Sequence, residues 1–278
     1  MPQLKKKMKA SVIMSTYNAE AWLEKVIIGF SVQTEKDFEI VIADDGSKPA
    51  TKELLDKLRN EISMPIIHVW HRDNGFQKSQ ILNKAIVASS SDYLIFTDGD
   101  CIPRKDFVEV HLNRREKGYF LSGGYFKLPM HLSKLISKED IVFQRCFDLK
   151  WLKYNGLQSS FKNTKFAVSG VLASFLNFIT PTKASWNGHN ASGWKSDLIA
   201  VNGFNQEMQY GGQDRELGER LFNKGLKSKQ IRYSAICVHL DHKRGYVNEE
   251  TWKKNFAIRK NTRKNKIIRT VIGVDSNL

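Results

Sequence analysis

At 278 residues and 41% hydrophobic content the chain can bury a full core, which excludes a disordered or low-complexity protein and fits one large domain with an elaborated C-terminal part. Its 44 Lys and Arg against 29 Asp and Glu give a formal net charge of +15, so an anionic partner is expected: nucleic acid, a membrane surface or an anionic polymer. Three cysteines, Cys101, Cys146 and Cys237, make no disulfide framework. No apolar run reaches a bilayer span, and no secretory pattern follows Lys5, Lys6 and Lys7, so a cytoplasmic location is expected.

In chain order, residues 9–15 read as a first strand, buried enough to be continuous rather than alternating, as in a parallel sheet covered on both faces. It ends in Thr16, Tyr17 and Asn18. Helical spacing of Trp22, Leu23, Val26, Ile27 and Phe30 predicts a helix over 20–32, and residues 38–43 are a second strand ending in Asp44, Asp45, Gly46 and Ser47. A helix over 50–61, a strand over 66–70, the loop His71-Arg72-Asp73-Asn74-Gly75 and a helix opening at Lys78 follow. The strand from Tyr93 then runs into Asp98-Gly99-Asp100. Alternation of this kind implies βαβ units, whose ligand crevice lies beyond the carboxyl ends of the strands. In extended chain, residues two apart point the same way, so Asp98 and Asp100 can converge on a hard divalent cation. A solvated Asp-Gly turn is the plainer reading of that pair alone. No Gly-x-Gly-x-x-Gly follows the first strand and no P-loop is present, which excludes the simple dinucleotide and NTPase sites.

Four segments taken together, Ser-Val-Ile-Met-Ser-Thr-Tyr-Asn, Ile-Val-Ile-Ala-Asp-Asp-Gly-Ser, Asn74-Gly75 and Tyr-Leu-Ile-Phe-Thr-Asp-Gly-Asp, resemble the nucleotide half of family 2 glycosyltransferases of the GT-A fold. The resemblance covers about the first 110 residues and implies an α/β fold with a mostly parallel, Rossmann-like sheet flanked by helices. It implies that Asp45 reads the uracil ring of a UDP-sugar, that Thr16 and Tyr17 flank the base, and that Asp98 and Asp100 hold Mn2+ or Mg2+ on the diphosphate. Asn18, Asn74, Gly75 and Lys78 fall on the same nucleotide edge.

The second half is harder to read. Residues 119–125 suggest a strand, 136–152 have helical spacing, and 158–165 have the polar composition of a mobile loop. At 187–195, 197–205 and Tyr210-Gly211-Gly212-Gln213-Asp214 the chain resembles the acceptor segment shared with galactosyltransferase-type C-terminal domains. There a Gly-Gly-Glu-Asp motif opens a helix and supplies the catalytic base, which implies Asp214 as base. Gln213 and Arg215 depart from that pattern. Gly211 and Gly212 allow close approach of backbone to a ligand, and Asp214 falls in a first helical turn, where the helix dipole favours negative charge. Trp194 is a candidate for stacking on a sugar. A strand over 230–238 leads to His239-Leu-Asp-His242, and the resemblance implies one histidine as a metal ligand, His239 first and His242 as runner-up; a zinc site using both lacks evident further ligands.

From Thr251 on, eight basic residues (Lys253, Lys254, Arg259, Lys260, Arg263, Lys264, Lys266, Arg269) accompany one acid, Asp275, with Trp252, Phe256, Ile267 and Ile268 among them. Peripheral attachment to an anionic membrane and a helix packed back on the domain both fit; nucleic acid is not expected, since no recognition module accompanies the charge. The expected organisation is a nucleotide-sugar half over 1–116, an acceptor and base half over 117–246, and a basic tail over 247–278. The function expected from the resemblance is inverting, metal-dependent transfer of a sugar from a UDP-sugar to a hydroxyl of a glycan or glycolipid. The alternatives are a sugar-phosphate nucleotidyltransferase, which should carry a glycine-rich basic loop where Thr16-Tyr17-Asn18 stands, or a basic nucleic-acid-binding protein.

Overall fold

The computed structural model describes residues 8–242 and 249–277; Lys5, Lys6, Lys7 and Val247 lie outside the described residues. The first hundred residues alternate as expected. Strands β1 (Ala10–Thr16), β2 (Phe38–Asp44), β3 (Ile66–Trp70) and β4 (Tyr93–Asp98) are joined by helices α1 (Glu20–Ser31), α2 (Pro49–Glu61) and α3 (Lys78–Ala88). β1 pairs in parallel with β2 and β4, and β2 with β3. Every residue of β2 is buried, which explains why its run is continuous and not alternating. Leu23, Val26, Ile27 and Phe30 form the buried stripe of α1, and Pro49 starts α2 at a position where its missing N–H costs nothing.

Beyond β4 come β5 (Cys101–Pro103), α4 (Phe107–Arg114), β6 (Tyr119–Ser122) and β7 (Phe126–Lys127). Short helices follow: α5 (Met130–Leu135), α6 (Lys138–Val142), α7 (Leu149–Tyr154), α8 (Thr164–Ala167) and α9 (Gly170–Ile179). The last third holds β8 (Ala191–Trp194), α10 (Lys195–Ala200), α11 (Gln213–Asn223), β9 (Lys227–Gln230), β10 (Cys237–His239) and α12 (Glu249–Lys264). The main sheet has the order β3-β2-β1-β4-β8-β6-β9, and a smaller sheet the order β5-β10-β7. β8 is antiparallel to both β4 and β6.

Three sequence expectations are corrected. The strand foreseen over 119–125 ends at Ser122 and resumes as β7 in the smaller sheet, with Gly123 and Gly124 between. The strand foreseen over 230–238 divides likewise: β9 pairs with β6, a turn closes where Ser234 and Ala235 N–H donate to the Ile231 carbonyl, and β10 pairs with β7. Both chains cross from one sheet to the other at the same level, a step no local periodicity encodes. The helix foreseen over 136–152 is broken at Gln144, which stands at φ +59°, and residues 158–165 contain a 3-10 turn and the start of α8.

Between α4 and β8 lies a buried polar chain that fixes the junction of the two sheets. The Tyr93 hydroxyl and the Ser192 hydroxyl lie 2.7 Å apart, Ser192 Oγ is 2.7 Å from His111 Nδ1, and His111 Nε2 is 3.1 Å from Asn190 Oδ1. Asn190 Nδ2 donates to the carbonyls of Gly124 and Ala235, so Oδ1 is its acceptor end and His111 Nε2 carries the proton. Burial holds His111 neutral and pushes its pKa down to about 3. Because the unfolded histidine takes up a proton near pH 6.5, stability is full above that pH and falls as pH drops toward 3. The expected loss between pH 7 and pH 5 is roughly 2 kcal/mol from this group. Thermal unfolding of the wild type and of His111→Gln across that range checks it: the midpoint of the variant should depend less on pH.

Candidate active site

The carboxyl ends of β1, β2 and β4 open on a cleft of about 840 Å³. Beside the ends of β1 and β2, Asn18 takes φ +45°, its N–H donates to Ser47 Oγ (2.8 Å), and its Oδ1 accepts from the Lys48 N–H (2.9 Å). Asn18 thereby ties the loop after β1 to the loop after β2. Asp45 is buried; its Oδ1 lies 2.8 Å from His71 Nε2 and its Oδ2 accepts from the Gln77 N–H (3.0 Å). Burial pushes its carboxyl above the usual range, against the pull of His71. Tyr17 is half exposed and donates to Asp73 Oδ2 (2.9 Å), standing as a wall of the cleft, while Thr16 Oγ1 is buried with no hydrogen-bond partner. Gly75 lines the cleft; Asn74 is exposed and is not among the lining residues.

At the centre, parallel register sets Ser15 beside Asp98, and the Ser15 hydroxyl donates to Asp98 Oδ1 (2.7 Å). Lys78, at the first position of α3, donates to the same oxygen (2.6 Å). Burial opposes ionisation of Asp98, but the Lys78 ammonium outweighs it and holds the carboxyl well below the usual range. Lys78 is likewise kept cationic, despite burial, by Asp98, Asp100 and Asp214.

Asp100 faces the end of β10. Its Oδ2 is 2.9 Å from His242 Nε2 and 3.4 Å from His239 Nε2, and ligand atoms of the three residues lie within 4.8 Å of one another. The further donor atom that no neighbouring sequence supplies to the two histidines comes from Asp100, brought in because β5 and β10 pair antiparallel, with Cys101 opposite His239, and the three together could hold a metal ion. The histidine expected as runner-up is the nearer of the two. Asp98 groups instead with Asp100 and Cys101, whose thiol burial holds protonated. Carboxylate oxygen with imidazole nitrogen is a donor set that fits a divalent transition metal.

The cleft continues past Lys78, Asp98, His189 and Tyr210 into a recess of about 210 Å³ lined by Gly211, Gly212, Gln213, Asp214 and Trp252. Gly211 and Gly212 stand at φ +115° and +83°, a region that L side chains disfavour, and a Cβ on Gly211 would lie 3.0 Å from the Trp252 ring. They turn the chain into α11, whose first turn carries Asp214. Its Oδ1 accepts from the Arg215 N–H (2.8 Å) and its Oδ2 from the Gly188 N–H (3.2 Å). Gln213 folds back, its Oε1 accepting from the Gly211 N–H (3.0 Å). His189, between Asp98 and Asp214, is driven neutral by burial, its pKa pushed down to about 4 against the attraction of both carboxylates. The Tyr125 ring packs on His189 at 4.5 Å and on His239 at 5.0 Å.

Trp194 is not part of this cleft. It pairs with Tyr93 at the opposite end of β4, stacks edge-on to that ring at 5.1 Å and donates to the Glu116 carbonyl (3.0 Å). The recess beside Asp214 holds Trp252 instead. α12 delivers it: Asn255, buried, donates to the carbonyls of Gln209, Tyr210 and Gly211, and Thr262 donates to Glu216 of α11. The basic tail thus packs back on the domain. His189 stands within a segment already singled out; Trp252 has no local signal, since only folding sets α12 against the double glycine.

A cleft with acidic groups at the exits of parallel strands, continuous with a recess holding a helix-start carboxylate, stands in a fold of the GT-A glycosyltransferase type. The chain belongs to glycosyl transferase family 2, whose family model matches residues 11–165, and a second model, the N-terminal domain of galactosyltransferase, matches residues 179–243. It is 24% identical over 284 residues to the uncharacterized glycosyltransferase YfnE of Bacillus subtilis, covering 90% of this chain and 69% of that one. It is 26% identical over 238 residues to a validoxylamine A glucosyltransferase of Streptomyces hygroscopicus subsp. limoneus, covering 81% of this chain and 50% of that one. The chain therefore spans about half the length of that second relative. Among solved structures it resembles S. aureus TarS 1-349 in complex with UDP-GlcNAc (TM-score 0.61, 15% identity, 97% of this chain and 69% of that one). It also resembles the Pyrobaculum calidifontis mannosyltransferase PcManGT in complex with GDP-Man and Mn2+ (TM-score 0.56, 15% identity, 94% and 63%).

The placement of Trp194 is testable. Trp194→Phe should leave donor and acceptor KM and kcat within about twofold while lowering stability by roughly 1 kcal/mol, the worth of its hydrogen bond to Glu116. Steady-state kinetics beside urea unfolding separates the two effects.

Proposed function

We propose that the chain moves a sugar from a UDP-sugar to a hydroxyl of a glycan or glycolipid acceptor, with inversion at the anomeric carbon and with a divalent ion beside the diphosphate. The observation that carries this reading is the shared lining: Lys78, Asp98, His189 and Tyr210 belong both to the large cleft and to the recess of Asp214. A donor seated against Asp98 and an acceptor seated against Asp214 meet in one space.

On the donor side, Asp45 accepts from the ring N–H of the base, Thr16 and Tyr17 flank it, and Asn18 and Gly75 shape the loops around it. Asp100, His239 and His242 would hold the ion. Two imidazole nitrogens favour Mn2+ over Mg2+, which prefers oxygen ligands and retained water. When bound, the ion supplies positive charge that stabilises the departing diphosphate. Lys78 adds a second cation on the same side. Asp214 accepts the proton of the acceptor hydroxyl as its oxygen attacks the anomeric carbon from the face opposite UDP. The bond from that carbon to the β-phosphate oxygen breaks, and its electron pair leaves on UDP. A single displacement inverts configuration, whereas a covalent sugar-enzyme intermediate would retain it. Trp252 and Tyr210, whose rings meet edge-on at 6.4 Å, offer the acceptor sugar an aromatic wall in place of Trp194.

UDP release from a panel of UDP-sugars, with Mn2+ and with a chelator, tests the reaction, which should stop on chelation and resume on adding Mn2+. Asp214→Asn should lower kcat by about 10²–10⁴ while UDP affinity, read by calorimetry, stays within about threefold. Near-normal turnover in that variant would remove Asp214 from the role of base. Trp252→Ala should raise acceptor KM roughly three- to tenfold and leave donor KM unmoved, the size expected for one lost stacking contact.

A further inference from the structure

Helix α9 is assembled the wrong way round for water. Its buried residues are Ala173 and Asn177, small and polar, while Val171, Leu172, Phe175, Phe178 and Ile179 are exposed, Val171 at 87% and Phe178 at 88%. The polar face holds the helix down: Asn177 Nδ2 donates to Ser234 Oγ (2.8 Å), Asn177 Oδ1 accepts from the Tyr233 N–H (2.8 Å), and Ser174 Oγ accepts from Arg114. At 100° per residue the five apolar side chains fall within an arc of roughly 120°, a single stripe directed away from the protein. Phe161, 83% exposed, precedes it. An amphipathic helix in water turns the other face outward, and a contiguous apolar patch of this kind marks a surface that something covers.

The charge around the stripe says what that is. From Leu149 to Ser196 the chain has six lysines and no Asp or Glu. Exposed Lys162 and Lys183 flank α9 in sequence, and Arg114 is bonded to it. β9 is tied to the segment just after α9, Ser228 Oγ donating to the Ala184 carbonyl (2.8 Å), and it carries exposed Lys227. Aromatic and branched apolar side chains fringed by cations, with carboxylates missing from the whole segment, complement an anionic lipid surface. A second copy of the chain would bring the same cations against each other. We propose that α9 docks this protein on anionic membrane, its apolar stripe entering the headgroup boundary and its lysines resting on lipid phosphates.

This deepens the glycolipid part of the proposed function and moves the attachment surface expected on the C-terminal segment. α12 buries Asn255 and Thr262 against the acceptor half, and its Arg259 is paired with Glu219 (2.6 Å). The α9 face, in contrast, connects to the cleft. Lys165 of α8, which leads into α9, donates to the Tyr125 carbonyl (2.7 Å), and the Tyr125 ring lines the cleft. A lipid-borne acceptor would then be held on the side from which the cleft is entered.

Flotation with vesicles of phosphatidylglycerol and phosphatidylethanolamine, and with pure phosphatidylcholine, tests the surface directly. The wild type should float with the anionic vesicles, at least tenfold more than with neutral ones, and be released by high salt. Phe175→Ser/Phe178→Ser should lose that binding by tenfold or more, while Phe256→Ser on α12 should keep it. UDP release without vesicles should be unchanged in the double variant, which shows that it is folded. Absence of flotation, equal flotation with neutral vesicles, or full binding by the double variant would overturn the proposal. So would a wild-type dimer that the double variant converts to monomer without any vesicle binding. Vesicle binding with no UDP release from any donor would leave the surface standing and remove the UDP-sugar reading.

Discussion

Three carboxylates, Asp98, Asp100 and Asp214, open on the cleft and its recess, and Lys78 is a cation that feels all of them. Their mutual repulsion in low dielectric would be costly without it. The arrangement depends on backbone pairing before it depends on charge. The β1–β4 register puts Ser15 beside Asp98, and α3 begins at the residue whose side chain reaches that carboxylate.

The acceptor side is fixed by a second, fully buried ion pair. Arg220 and Glu216, one turn apart on α11, are both about fully covered, and the Arg220 Nε donates to both Glu216 oxygens (2.9 Å). The remaining Arg220 donors reach the carbonyls of Val201 and Gly203, and Glu216 also receives Thr262 of α12. With every guanidinium nitrogen bonded the pair is tolerable; with one partner removed, the other would be an uncompensated buried charge costing about 3–5 kcal/mol. This pair fixes α11 against the core. Asp214 stands in the first turn of the same helix, and the Thr262 bond to Glu216 ties α12 to it. α9 shows the opposite logic, since Ser174 and Asn177 make internal hydrogen bonds while Val171, Leu172, Phe175, Phe178 and Ile179 are exposed.

The donor half was legible because its information is local. Continuous apolar runs, turn residues at their ends and helical spacing between them are properties of segments of about ten residues, and they located β1 to β4 and α1 to α3 within a residue or two. Asp45, Asp98 and Asp100 follow from that reading, because strand ends in a parallel sheet share one edge. The acceptor half was read less well where the chain changes sheet, at Gly123–Gly124 and between Gln230 and Cys237, because a strand that leaves one ladder for another keeps the same composition throughout. Trp194 was misplaced for a related reason: a tryptophan beside a recognised motif carries no mark of which end of its strand faces the ligand.

By itself, then, the amino-acid order determined the alternating strands and helices of the first hundred residues and the acidic residues at the strand ends, since these rest on short-range periodicity and steric preference, and it gave the family through the resemblance of a few short motifs. Tertiary structure alone decided that His242 stands nearer Asp100 than His239 does, that Trp252 and not Trp194 borders Asp214, and that α9 presents its apolar stripe outward. Those are contacts between segments tens to more than a hundred residues apart, and their energy exists only after the chain has closed on itself, so no stretch of sequence carries it.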